Sequence, residues 1–303
     1  MMDTPQTIFK NFDSLIVPID KLSNYLFAAD VKNIDNIIED KRLKILSPVK
    51  IIFPKDENGN TNLTPFEKLI LNVLLSVQDA GNEYISYFKL FHLLGGGKNI
   101  NNADRLKKLI DKALWKLRCT DLTINLTDIV GKRKKYADKL NAPYNKADKK
   151  NITWRGCLLP NEIVTASVNG KITEGTIHLL GKSIILRIAD LKDQVAHADL
   201  NLLAVPIRTT ENTLTLIGYL LERILKIKGS NDENRKHITK LSNAISFDSL
   251  FRQCGISAED KRQRYEIRQT VSKILAFFKE QKFISDYSFN KSTDGDFSIK
   301  ISF

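Results

Sequence analysis

Residues 245–303, ISFDSLFRQCGISAEDKRQRYEIRQTVSKILAFFKEQKFISDYSFNKSTDGDFSIKISF, contain the pattern from which we predict the fold. The stretch opens with a short helix capped by Ser246, and Gly255 ends that helix because glycine tolerates the left-handed backbone at a helix end. From Lys261 to Gln281 apolar residues recur at steps of three and four, which predicts a long helix with one buried face. The period then changes to two on both sides of a polar turn at 290–296, which indicates a β-hairpin.

Helix, tight turn, basic helix and hairpin follow one another in the order of a winged helix, a helix-turn-helix variant with a hairpin beside its recognition helix. The long helix has a cluster of cations in its first two turns, opposed there only by Glu266: Lys261, Arg262, Arg264 and Arg268. In helix-turn-helix proteins this end of the helix enters the major groove of DNA. Tyr265 is assigned to the apolar face of the helix, so we expect a core residue there and not a nucleophile.

The same order begins a first time at a helix start made by Thr64, Pro65 and Glu67, which have the spacing of a capping box. Ser86 is expected to cap a second helix, and glycines end it before a third helix at 102–118. The third helix buries a leucine-rich face and is expected to expose its cations: Arg105, Lys107, Lys108, Lys112 and Lys116. The chain therefore carries an approximate duplication of architecture, without a repeat of sequence.

Strands at 122–126 and 152–159 are interpreted as the hairpin of this first unit. Its tip has an excess of six positive charges, because Asp138 and Asp148 oppose a larger cationic set: Lys132, Arg133, Lys134, Lys135, Lys139, Lys146, Lys149 and Lys150. We interpret this loop as a site of phosphate contacts, and the alternative is a solvated loop that serves solubility. Residues 162–188 form an extra β segment, with a two-residue hairpin turn at 169–170 and a further strand at 183–188.

The length of 303 residues favours two domains over one. We predict an N-terminal extension of unknown role at 1–47. A first winged-helix domain, with the basic wing loop and the extra β segment, follows at 48–205. A second winged-helix domain occupies 206–303 and opens with a long helix at 212–228. The predicted fold class is therefore α+β, with tandem winged-helix domains.

The net charge of +12 and a pI near 9.4 favour a polyanionic partner. Nucleic acid is preferred to a membrane surface because the sequence has no long apolar run. Cys119, Cys157 and Cys254 are too far apart and too few for a disulfide framework or a paired metal motif. The first residues lack the features of a secretory signal, so we expect a cytoplasmic protein.

Motifs for catalysis and for cofactor binding are absent from the sequence. A phosphate-binding loop at Gly97-Lys98 would require an earlier glycine where His92 stands and a Ser or Thr where Asn99 stands. No two histidines have the spacing of paired metal ligands. We therefore expect no catalytic residue, no metal and no cofactor. A nuclease whose carboxylates are brought together only by folding stays open as an alternative.

Four segments together resemble the plasmid replication initiators of the theta-replicating, iteron-binding family: 63–68, 102–118, 212–228 and 245–303. Short stretches at 64–67, 80–84 and 219–224 are also similar to uncharacterised proteins of bacterial mobile elements. The resemblance to the initiators implies two domains that both bind DNA and a protein without catalytic residues.

The sequence thus predicts a sequence-specific double-stranded DNA-binding protein, with replication initiation as the preferred role. Major-groove contacts are assigned to Asn102, Arg105, Lys108 and Lys112 in the first unit and to Lys261, Arg262, Arg264 and Arg268 in the second. Phosphate contacts are assigned to Lys132, Arg133, Lys134, Lys135, Lys149 and Lys150, with the 290–295 turn. A transcriptional regulator and a scaffold that binds a replication partner are the alternatives. Host replication proteins and a second copy of the chain stay open as further partners.

Overall fold

The computed structural model describes residues 9–27, 37–38, 49–54, 63–95, 103–130, 134–140, 142, 152–168, 171–231, 240–257, 260–291 and 297–303. These residues form a mixed α+β structure with small antiparallel sheets, which confirms the predicted class. The helices are α1 (Lys21–Leu26), α2 (Pro65–Asp79), α3 (Tyr87–Leu93), α4 (Ala103–Cys119), α5 (Thr127–Val130), α6 (Lys134–Leu140), α7 (Ile184–Leu191), α8 (Glu211–Asn231), α9 (Phe247–Cys254) and α10 (Lys261–Glu280). The strands are β1 (Ser14–Pro18), β2 (Ile37–Ile38), β3 (Val49–Ile52), β4 (Tyr84–Ser86), β5 (Asp121–Asn125), β6 (Thr153–Cys157), β7 (Asn161–Val168), β8 (Lys171–Leu179), β9 (Val195–Asp199), β10 (Ala244–Ser246), β11 (Asp286–Lys291) and β12 (Phe297–Ser302).

Two groups of elements share one topology, and we call them the first and the second repeat. The first repeat comprises α2, β4, α3, α4, β7 and β8, and the second comprises α8, β10, α9, α10, β11 and β12. Their sheets have the strand orders β4-β8-β7 and β10-β12-β11. In both, the returning strand of a hairpin lies between the outgoing strand and a short strand that precedes two helices.

Local capping signals set the helix boundaries in both repeats. Thr64 and Glu67 form the predicted capping box, in which the Thr64 N–H donates to Glu67 Oε2 at 2.7 Å. Ser86 and Ser246 cap α3 and α9 in the same way, each accepting a hydrogen bond from the backbone three residues on. Gly255 ends α9 with a φ of 64°, the left-handed backbone that glycine favours. These predictions are confirmed.

The hairpin of the first repeat is not the one that the sequence indicated. Strands β5 and β6 do pair, but they belong to another sheet, of order β2-β3-β5-β6. The hairpin that joins β4 is β7–β8, the stretch predicted as an extra β segment. The β7–β8 hairpin joins β4 because Ile177 of β8 pairs with both Ile85 of β4 and Ile163 of β7, which continues one row of apolar residues across the three strands. Residues 121–157, with β5, α5, α6 and β6, are therefore an insertion between α4 and the hairpin, and we call them the inserted segment.

At three other places the structure has a helix where the sequence predicted a strand, a loop or the end of a helix. Residues 184–191 form α7, capped by Ser183, where a strand was predicted at 183–188. Short apolar runs do not distinguish a buried strand from a buried helix, and this run packs on β1 and β9 as a helix. Residues 134–140 form α6 where a loop was predicted, and α8 continues through residues 229–231, where its end was predicted.

The core is continuous between the repeats and is centred on α2. This helix is buried along nearly its whole length and packs on α4, α8 and β1. Strand β1, in the predicted N-terminal extension, pairs with β9 through residues 14–18. The division into domains at residues 47 and 205 stays a prediction.

Candidate nucleic-acid interface

The start of α10 is the most cationic helix end among the described residues. Lys261, Arg262 and Arg264 are exposed, and Arg268 is half-buried one turn further along. Asp260 caps the helix by accepting a hydrogen bond from the Arg262 N–H at 3.1 Å. The positive end of the helix dipole lies at the same place and adds to the charge of these side chains. Lys261, Arg262 and Arg264 therefore face solvent as predicted, whereas Arg268 is partly covered.

Arg268 connects this helix to the hairpin of the second repeat. Its guanidinium carbon lies 4.2 Å from the centroid of the Phe297 ring, and its Nε donates to the Arg264 carbonyl at 3.2 Å. Lys291 approaches the same ring from β11, with its Nζ at 5.8 Å from the centroid. Phe297 is therefore contacted by cations from the helix and from the hairpin, which fixes the direction in which Arg268 points.

A groove of about 290 Å³ runs between α9, α10 and β12 beside these cations. The described residues that line it are mostly cationic and aromatic: Phe247, Asp248, Phe251, Lys261, Arg264, Arg268 and Phe297. Polar contact with a phosphate or a base edge is available there, beside apolar surface that excludes water. None of these phenylalanines was predicted as a site residue, since their apolar spacing indicated only core positions.

Tyr265 is exposed, and its assignment to the core was wrong. Its side chain is 59% exposed, between the cations of α10. The buried face of α10 is formed by Val271, Ile274, Leu275 and Phe278. Tyr265 precedes Val271 by six residues, which is about 240° around a helix, so its side chain lies away from that face. The exposure of Tyr265 could therefore have been predicted from the sequence by counting this angle.

The corresponding helix of the first repeat, α4, exposes Arg105, Lys108 and Lys112 as predicted. Lys107 instead lies over the ring of Tyr87, with its Nζ 5.1 Å from the ring centroid. Lys116 was expected to be exposed, and this was wrong: it is buried and its Nζ lies 3.0 Å from Glu67 Oε1. The carboxylate that caps α2 thus also neutralises a cation of α4, which removes Lys116 from any interface.

The predicted basic wing is only partly within the described residues, and that part is not on the hairpin. Lys134 and Lys135 are exposed at the start of α6, in the inserted segment. Helix α6 packs on α7 through buried Ala137 and Leu140, and Lys139 forms an ion pair with Asp190 at 2.6 Å. The other predicted contacts lie outside the described residues: Asn102, Lys132, Arg133, Lys149, Lys150 and residues 292–295 of the predicted turn at 290–295, whose first two residues end β11.

Within the described ranges, no group of three or more His, Cys, Asp or Glu side chains has the arrangement needed to hold a metal ion. No helix in the same part of the chain is long and apolar enough to span a bilayer. Comparison of the chain with protein-family models, with curated proteins and with solved structures yields no significant match.

Proposed function

We propose that the protein is a sequence-specific double-stranded DNA-binding protein and that both repeats are winged helices. The observation that supports this proposal most is the start of α10, where exposed Lys261, Arg262 and Arg264 lie beside a hairpin that Arg268 contacts. A helix end of this kind fits the major groove, while a neighbouring hairpin reaches the phosphates.

In this proposal the arginines of α10 read base edges. Arginine suits bidentate hydrogen bonding to guanine, a contact that contributes about 1–3 kcal/mol of discrimination. Lys291 on β11 holds a phosphate, since it is exposed and lies near the ring of Phe297, which lines the groove. Arg105, Lys108 and Lys112 on α4 serve the first repeat in the same way, so that one chain covers two adjacent segments of duplex.

The role that we prefer is initiation of replication of a plasmid or a related element, with the contacts made on origin repeats. This preference rests on the resemblance of the sequence to iteron-binding initiators, and it makes the protein a binding protein without catalytic activity. A transcriptional regulator would use the same surfaces. Selection of bound fragments from the native replicon separates the two, because an initiator selects repeats within an origin and a regulator selects promoters.

Gel shifts over a salt series test the electrostatic part of the proposal. If about six to ten phosphates are neutralised, affinity falls by about three to five decades between roughly 50 and 200 mM salt. An affinity for replicon fragments that does not change with salt contradicts the interface described above. Metal-dependent nicking of supercoiled plasmid in the same samples would show that the protein is a nuclease.

The exposed apolar side chains of the first repeat favour a second candidate, a scaffold that binds a replication partner. Tyr84, Phe88, Val164 and Leu180 are each 47–69% exposed. Exposed apolar side chains of this size are frequent at protein–protein contacts when they are grouped. A chain that shifts no fragment of its replicon but retains a replication protein of the host in a binding assay would have this role.

A further inference from the structure

A cavity of about 530 Å³ opens where the two repeats meet, between α2, α8 and the start of α9. We call it the junction cavity. Four charged side chains of the described part of the chain line it: Lys68, Glu222, Arg223 and Lys226. Its volume lies in the range of pockets that hold small molecules. No part of the nucleic-acid interface described above lines this cavity.

The ammonium groups in the junction cavity share one carboxylate. Lys68 Nζ lies 2.7 Å from Glu222 Oε1, and Lys226 pairs with the same oxygen. Lys68 also donates to Asn24 Oδ1 at 3.4 Å. Burial would raise the pKa of Glu222, but Lys226 and Lys68 hold it below its usual range. Glu222 is therefore ionised and already committed to both lysines.

Asp20 is the other carboxylate that acts on Lys68, and it does not form an ion pair with it. Its Oδ1 accepts the N–H groups of Leu22 and Ser23 at 2.9 and 3.1 Å, while Oδ2 is buried without a hydrogen-bond partner among the described residues. Burial raises the pKa of Asp20. Even with Asp20 ionised, the described residues at this site carry three cations against two carboxylates, because Arg223 adds a charge at the cavity wall.

Neutral hydrogen-bond donors also line the junction cavity. Ser246 and Ser249 line the cavity at the start of α9, a helix of eight residues. Ser246 Oγ accepts the Ser249 N–H at 3.3 Å, so the hydroxyl hydrogen of Ser246 is directed away from that contact. The side-chain amide of Gln253, further along α9, also lines the cavity and supplies a second neutral donor. Cations from α8 and donors from α9 thus border one space.

We propose that the junction cavity binds the phosphate group of a small molecule, with Arg223 and Lys226 as the cationic contacts and the start of α9 as the neutral one. Lys68 stays paired with Glu222. The bound phosphate compensates the excess positive charge between the repeats. Because it contacts α8 and α9 and neutralises a cluster that α2 shares, it stabilises the packing of one repeat on the other.

Thermal unfolding of the full chain with added phosphate, compared with sodium chloride at matched ionic strength, tests this proposal. Inorganic phosphate and a nucleoside monophosphate are used in parallel, because the cavity has room for an ester group. We expect both to raise the Tm, and tighter binding of one identifies the source of the phosphate. Calorimetric titration then gives the Kd directly.

Two variants and one control make the test specific. Lys226→Met leaves Lys68 paired with Glu222, and Arg223→Gln leaves both lysines in place. Each variant therefore weakens the site independently while the fold is expected to be kept. Each is expected to weaken phosphate binding by about tenfold or more, the usual effect of losing a charge-assisted contact. Lys273→Met removes an exposed cation of α10 outside the cavity and is expected to bind phosphate as the unaltered chain does.

Equal stabilisation of all four proteins would overturn the proposal, since phosphate stabilises folded proteins generally by exclusion from their surface. The absence of a heat of binding in the unaltered chain would also overturn it. So would a loss of DNA binding in Arg223→Gln and Lys226→Met, because the cavity would then belong to the DNA interface. A chain that binds phosphate but no DNA would contradict the proposed function and leave this site in place.

Discussion

The short strand of each repeat pairs with the returning strand of its hairpin, Ile85 with Ile177 in the first and Ile245 with Ile299 in the second. This shared register aligns the two repeats residue by residue. Tyr84 then corresponds to Ala244, and Val164, which pairs with Thr176, corresponds to Asn290, which pairs with Ser298. The capping serines place Phe88 opposite Asp248 in the same alignment.

The alignment shows that the interior is shared while the exposed surface differs. Isoleucines pair between the same two strands of both repeats, whereas the exposed apolar side chains of the first repeat have small or polar counterparts in the second. The inserted segment occurs only between α4 and β7, and a short turn takes its place between α10 and β11. One topology therefore carries two different surfaces, and we expect the repeats to contact different partners.

The largest effect is expected where the repeats are joined. Glu222→Gln leaves Lys68 buried, with a side chain only 3% exposed, and without its carboxylate. Removing one partner of a buried ion pair costs about 3–5 kcal/mol, so the free energy of unfolding in urea is expected to fall by that amount. The control is Glu266→Gln, which removes the exposed ion pair with Arg262 and is expected to cost under about 1 kcal/mol. Similar losses of unfolding free energy in the two variants would contradict a large contribution of the buried Lys68–Glu222 pair to stability.

The next effect concerns DNA recognition by the second repeat. Arg264→Ala and Arg268→Ala are each expected to weaken a specific site by about 1–3 kcal/mol and to weaken random DNA less. Lys134→Ala with Lys135→Ala, in the inserted segment, is expected to weaken both kinds of DNA alike and to lower the salt slope by about one per lysine. Quantitative gel shifts on both DNAs measure the difference. Equal losses on both DNAs for the arginine variants would mean that α10 contacts only phosphates.

Predictions from the sequence succeeded where the signal is local and failed where it depends on distant pairing. The capping box at Thr64, the serine caps and the period of α10 involve neighbours in sequence, and they gave correct helix boundaries. The partner of β4 could not be found in this way, because β8 lies beyond the whole inserted segment. A hairpin is normally sought in the next strand pair, and β5–β6 satisfies that rule while belonging to another sheet.

For the candidate site as well, predictions from local signals succeeded and those that depend on distant contacts failed. Helix periodicity predicted that the cations of α10 are exposed. The same periodicity, had it been counted for Tyr265, would have predicted that this side chain is exposed too. Burial of Lys116 required Glu67 as a partner 49 residues away. The junction cavity involves three elements from two repeats. The i,i+4 spacing of Glu222 and Lys226 indicates their ion pair, but no spacing indicates that Lys68, 154 residues away, shares the same carboxylate.

A smaller effect, dependent on pH, is expected from Lys68. Burial lowers its pKa to about 8 in the folded protein, against 10.5 in the unfolded chain. Between these values the unfolded chain binds more protons, so this group makes the free energy of unfolding increase as the pH rises from about 8 toward 10.5. The slope from one such group is at most about 1.4 kcal/mol per pH unit. Urea unfolding over this range is expected to show a contribution that Lys68→Met lacks and Lys273→Met retains, and identical slopes in all three proteins would contradict the low pKa.

The smallest effect on stability is expected when the surface of the first repeat is made like that of the second. The triple variant Tyr84→Ala, Phe88→Asp and Val164→Asn replaces three exposed apolar residues by their counterparts. Exposed substitutions usually change the free energy of unfolding by less than about 0.5 kcal/mol each, and DNA binding by α10 is expected to be unchanged.

Binding to a protein partner is the property that this triple variant is expected to lose, because the apolar contact area is removed while the fold and the cations are kept. Size-exclusion chromatography with light scattering measures self-association, and a binding assay with replication proteins of the host measures the alternative. Lys273→Met, which alters an exposed side chain of α10 outside the junction cavity and the groove, is the control. If the triple variant associated with partners as the unaltered chain does, the difference between the two surfaces would have no role in binding, and the two repeats would differ in function only through their cations.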